Sequence, residues 1–166
     1  MGYTAIPGGD IWLQIGTTQT PTSGSSVSFT SIPPVKKLRL VVQNVALTTA
    51  GSLDITLNND TTSNYNQTQI SYNGTSTSVS GVINAAIDTT RAAGAAAHIQ
   101  DFIVDYANQA CPKLITGFGS NNGSNAANYG VVTTWNSTSS VNRVDFVTAN
   151  TFNATNTGTI AIYGAF

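Results

Sequence analysis

In the stretch NNDTTSNY, Asn58, Asp60, Thr62 and Asn64 carry side-chain oxygens at every second residue. Alternating oxygens are how a loop grips a divalent cation, and a calcium-binding loop counted from Asn58 would use these positions. The comparison fails at the other positions such a loop needs. Its sixth residue, normally the glycine of a sharp turn, is Ser63, and its twelfth, normally a bidentate glutamate, is Gln69. Asp60 is the one carboxylate, and a cation held by one carboxylate and neutral oxygens binds weakly. The stretch therefore reads as a polar corner whose Asn and Asp side chains satisfy the backbone.

Other chemistries lack partners. Cys111 is the sole cysteine, so no intrachain disulfide forms; beside Pro112 it reads as a buried thiol. His98 is the sole histidine, too few for zinc or a nucleophile–base pair, and its strand context makes it structural or exposed. GFGSN, from Gly117 to Asn121, lacks the closing glycine of a nucleophile elbow. Asp101 and Asp105 share a strand face roughly 13 Å apart, too far for paired carboxylate catalysis. Trp12, Trp135, Tyr65, Tyr72 and Tyr129 are the rings that could stack on sugars, but aromatics at strand positions mostly enter the core. No catalytic residue, cofactor or metal is expected, and the chain is not expected to be an enzyme.

The elements that would position these residues are strands. Glutamate is absent, charged residues make up 8%, and Ser, Thr and Asn supply about a third of the 166 residues. Those three compete for backbone hydrogen bonds in helices and suit strands and turns. Trp12 and Gln14 alternate with Ile11, Leu13 and Ile15; Val27 and Phe29 point inward from Ser26 to Thr30. Leu38, Leu40 and Val42 share one face, as do Leu53, Ile55 and Leu57, and Phe102, Val104 and Tyr106. Asn73-Gly74 reads as a hairpin turn between strands ending at Tyr72 and beginning at Thr75. Residues 84–97, rich in alanine, read as a loop, and SNNGSNAAN, Ser120 to Asn128, as a surface loop. Three further strands are expected over Tyr129–Asn136, Val141–Thr148 and Thr157–Gly164. The result is an all-β fold of about ten short strands, a jelly-roll-like antiparallel β-sandwich, in one domain over residues 1–166. Residues 1–9 form an N-terminal contact arm in this reading. Tyr3, Ile6 and Trp12, costly to leave in water, are its expected partner contacts.

A net charge of -1 with six basic residues makes no phosphate-tracking surface, so no nucleic acid partner is expected. The KKLR cluster at Lys36, Lys37 and Arg39 reads as solubilising a strand start. No apolar run reaches membrane-spanning length, and MGYTAIPGGD lacks the basic and apolar regions of a Sec signal, so neither membrane insertion nor export is expected.

Four segments carry a resemblance. VSFTSIPPVKKLRLVVQN at Val27 to Asn44, then LDITLNNDTTSNYNQTQI at Leu53 to Ile70, resembles a pattern of tailed-bacteriophage virion surface proteins. In that pattern a Phe-Thr-x-Ile-Pro turn enters a strand, and a strand ends in an Asn-(Gly or Asn)-Asp corner before Asn-Tyr. IVDYAN at Ile103 to Asn108 is similar to the family's Asp-Tyr-Ala-Asn, and TIAIYGAF to its terminal strand. The chain departs from the pattern in its alanine-rich stretch from Arg91 to Ala97. The resemblance implies a jelly-roll-like sandwich and a minor structural, head-decoration or tail-fibre role, with no catalytic residues. The expected function is thus a capsid decoration (cement) protein on the outer head surface. It would be a homotrimer bound to the major capsid protein in a virion assembled in the host cytoplasm. The alternative is a tail-fibre or receptor-binding module that recognises host surface glycans.

Overall fold

The computed structural model describes residues 10–49, 51–72, 76–83, 97–121 and 127–166. They form eleven strands: β1 (Trp12–Gln19), β2 (Ser26–Thr30), β3 (Lys37–Ala46), β4 (Asp54–Leu57), β5 (Tyr65–Tyr72), β6 (Ser76–Ile83), β7 (Ala97–Asp105), β8 (Lys113–Asn121), β9 (Ala127–Trp135), β10 (Arg143–Val147) and β11 (Thr159–Ala165). An eight-stranded sheet has the order β1-β11-β3-β7-β8-β9-β5-β6, and a three-stranded sheet the order β2-β10-β4. Every pairing is antiparallel. This is the antiparallel β-sandwich that the alternation predicts, divided unevenly into eight strands and three.

The core follows the strand period. Leu38, Leu40 and Val42 of β3, Phe102 and Val104 of β7, Ile115 of β8, and Ile160 and Ile162 of β11 lie buried on the inner face of the large sheet. Against them pack Phe29, Ile55, Leu57, Val144 and Phe146 of the small sheet, in one continuous cluster. Phe29 and Phe146 meet edge to face, with ring centroids 6.1 Å apart. Each such side chain contributes about 1.5–3 kcal/mol by leaving water.

Aromatic rings also fill the space over β8, whose inner positions alternate Ile115, Gly117 and Gly119. A Cβ at Gly117 would strike the Phe102 ring, and one at Gly119 the Tyr129 ring. Rings from β7 and β9 therefore lie on glycine backbone, which no other residue allows.

Several expectations change. Tyr106 does not continue the buried face of β7: the strand ends at Asp105, and Tyr106 turns out with φ 62° while Ala107 is buried instead. β3 runs past Asn44, whose φ of 55° accompanies a bulge that returns Val45 to the core. Cys111 is half-buried, not enclosed. β8 reaches Asn121 and β9 begins at Ala127, so both ends of SNNGSNAAN belong to strands. The turn at Asn73-Gly74 and the alanine-rich 84–96 lie outside the described residues; β5 and β6 pair as a hairpin requires, with Tyr72 opposite Ser76.

Candidate functional site

The NNDTTSNY corner joins β4 to β5, and its Asn58, Asp60, Thr62, Asn64 and Tyr65 side chains bond within the protein itself. Asn58 and Asn59 both adopt left-handed conformations, which asparagine tolerates. Asn58 Oδ1 accepts from the backbone N–H groups of Asn142 and Arg143, and its Nδ2 donates to Ser140 O. The Asp60 carboxylate accepts from Thr62 N at 3.0 Å, Thr62 Oγ1 at 2.5 Å, Asn64 Nδ2 at 2.8 Å and Trp135 Nε1 at 2.8 Å. Partial burial opposes its ionisation, yet the hydrogen bonds from Thr62, Asn64 and Trp135 prevail and lower its pKa to about 2. Tyr65 stacks on Trp135, donates to Asp60 O and accepts from Leu57 N. With its carboxylate committed to four donors, the corner is a structural joint.

The other candidates also turn inward. His98 is buried on β7 with neither ring nitrogen hydrogen-bonded, and burial pulls its pKa down to about 4. Trp135, Tyr65 and Tyr129 are core residues and cannot meet a sugar. Lys113 is buried with its Nζ donating to Gln109 O and Cys111 O, at 2.8 and 2.5 Å, and lying 5.9 Å from the Trp135 ring centroid. Burial lowers its pKa. Among the described residues no three His, Cys, Asp or Glu side chains converge as a metal site. Tyr3, Ile6 and the side chain of Tyr72 lie outside the described residues. Trp12 is half-exposed.

Among the described residues, exposed apolar side chains gather in two places. The first is the outer face of the eight-stranded sheet. Strand register sets Asp101, Phe118, Gly130 and Ile70 in one row across β7, β8, β9 and β5, and Ile103, Thr116, Val132 and Thr68 in the next. These residues, with Trp12 and Arg39, line a depression of about 550 Å³. Phe118 is 71% exposed, and Val132 and Ile70 are exposed beside it. Arg39 binds Asp101 bidentately, Nε to Oδ1 at 2.8 Å and Nη2 to Oδ2 at 2.5 Å, and that hydrogen bonding raises its pKa.

The second place is the β1 edge. β1 pairs with β11 on one side and, among the described residues, with nothing on the other. Ile11 and Leu13 are 69% and 54% exposed and, with Phe166, Asp10 and Lys36, line a second hollow. Lys36 Nζ donates to Phe166 O, and Lys37 pairs with Asp10 at 2.9 Å.

Reading strand by strand, the alternation rule assigned inner faces and passed over Phe118, Val132 and Ile70. The available signal was the doubled apolar runs Phe102-Ile103-Val104 and Val131-Val132, which mark strands apolar on both faces. No family model, no curated protein and no solved structure matches the chain.

Proposed function

We propose that the protein is a structural protein of a tailed-phage virion: a capsid decoration protein on the outer head surface that binds the major capsid protein as a homotrimer. The observation that carries this reading is the β1 edge. An edge strand normally defends itself with charge, proline or a cover. Here Trp12–Gln19 has no charged residue and no proline, and the apolar Ile11 and Leu13 stand in water at its start. A bulge interrupts the ladder only beyond Ile15, where Gly16 takes a φ of 67°. Among the described residues nothing pairs with the stretch from Ile11 to Ile15 on its outer side, so it could receive an extended segment of another protein, with backbone pairing supplying affinity and Ile11 and Leu13 supplying contact. Trp12, the one expected contact among the described residues, belongs to this strand. The sequence resemblance supplies the setting, and closed symmetry lets one surface serve all three copies.

Two measurements test the reading. Quantitative mass spectrometry of purified virions should give a copy number comparable to the major capsid protein; a handful of copies would move the protein to the tail, and absence would end the virion reading. In addition, Ile11→Ser/Leu13→Ser should abolish rebinding to capsids stripped of the protein. Full rebinding of that variant would remove β1 as the contact.

A further inference from the structure

Three features coincide in the depression on the outer face of the eight-stranded sheet. The first is a pair of accessible rings, Phe118 and Trp12, in a chain whose Tyr65, Tyr129 and Trp135 are buried. A phenylalanine in mid-sheet and 71% exposed is a surface awaiting a cover. The second is the Arg39–Asp101 pair, whose side chains are 43% and 47% exposed. Bound bidentately, the guanidinium keeps spare N–H groups and each carboxylate oxygen keeps a lone pair, so donors and acceptors adjoin in one plane. The third is the floor. Gly130 presents no side chain beside Phe118, the backbone of Gly117 lies in the lining, and Thr68 and Thr116 add hydroxyls to it. A volume of about 550 Å³, mostly apolar walls and a few convergent polar groups are the usual attributes of a small-ligand site.

We propose that this depression binds a saccharide. A sugar ring lays an apolar C–H face on Phe118 or Trp12 and turns neighbouring hydroxyls toward the Arg39–Asp101 pair. Each hydroxyl there accepts from the guanidinium and donates to the carboxylate, replacing water by groups of the same kind. Other occupants match the chemistry less well. An apolar peptide side chain would strip water from Arg39 and Asp101 without returning hydrogen bonds. A phosphate would meet the Asp101 carboxylate, and a metal cation would have to displace Arg39 from it. The site does not use Ile11 or Leu13, which alternate with Trp12 and so face the opposite side of the sheet.

The test is an array of bacterial and mammalian oligosaccharides probed with the labelled protein, with Phe118→Ala, Asp101→Asn and the edge variant Ile11→Ser/Leu13→Ser. The parent and the edge variant should bind the same glycans. Phe118→Ala and Asp101→Asn should each lose about tenfold or more in affinity, which corresponds to one stacked ring or one hydrogen-bonded pair. Their thermal midpoints should match the parent's, since the altered groups are exposed. Binding to no glycan overturns the proposal, and so does binding that both variants retain. Concentration-dependent self-association abolished by Phe118→Ala would assign the face to a second copy of the chain and overturn it as well. Because capsid rebinding depends on the edge variant and glycan binding on the face variants, either proposal can fail while the other stands.

Discussion

The indole of Trp135 donates to the carboxylate of Asp60 across 2.8 Å, so the end of β9 locks the corner between β4 and β5. The same indole is covered by the Tyr65 ring, at 6.2 Å between centroids, and flanked by the Lys113 ammonium. A stretch that looks like a ligand loop in one dimension is thus the polar seam between the two sheets at one end of the sandwich.

Asp60→Ala should destabilise the protein by about 2–4 kcal/mol in urea unfolding, because several donors lose a charged acceptor together. Trp135→Phe keeps a ring and removes one donor, and should cost less than Asp60→Ala.

The same carboxylate predicts acid sensitivity. Its pKa falls from 3.8 to about 2 on folding, so its contribution is complete above the unfolded value and is lost as pH drops from there through about 2. Asp60→Asn should flatten the stability–pH curve in that window.

His98 acts at higher pH. Burial holds its pKa near 4 against 6.5 in the unfolded chain, so the folded state keeps the ring neutral. Between those values the unfolded chain binds the proton and the native state does not. Stability should therefore decline as pH falls from 6.5 to about 4, by about 2–3 kcal/mol for this group. His98→Leu should abolish that slope, as read from urea midpoints across the range.

Gly119→Ala should displace the Tyr129 ring and cost about 1–3 kcal/mol as an overpacked core does. Adding Tyr129→Ala should make the second change cost much less than it does alone, a coupling that a double-mutant cycle measures directly.

Lys113→Met should cost about 2–4 kcal/mol, since the carbonyls of Gln109 and Cys111 lose their donor inside the protein. Restoring the charge with Lys113→Arg should not rescue it, because the enclosed site is shaped to an ammonium.

By itself the sequence indicated most of the strands and the inward residues of β2, β3 and β4 and of the first part of β7. Val27, Phe29, Leu38, Leu40, Val42, Ile55 and Leu57 followed from a period of two, which steric alternation imposes on any extended chain. It also indicated that NNDTTSNY is a corner, since its missing glycine and glutamate are local facts. Tertiary structure decided what local spacing does not encode. It set β11 between β1 and β3, brought Arg39 to Asp101, and turned Tyr106 outward where the strand stopped. Among the described residues it left the outer face of the large sheet exposed at Phe118, Val132 and Ile70, because the three-stranded sheet packs on the inner side. Which apolar face is buried depends on what packs above it. Alternation along one strand sorts residues into two faces, and only the partner sheet makes one of them the core.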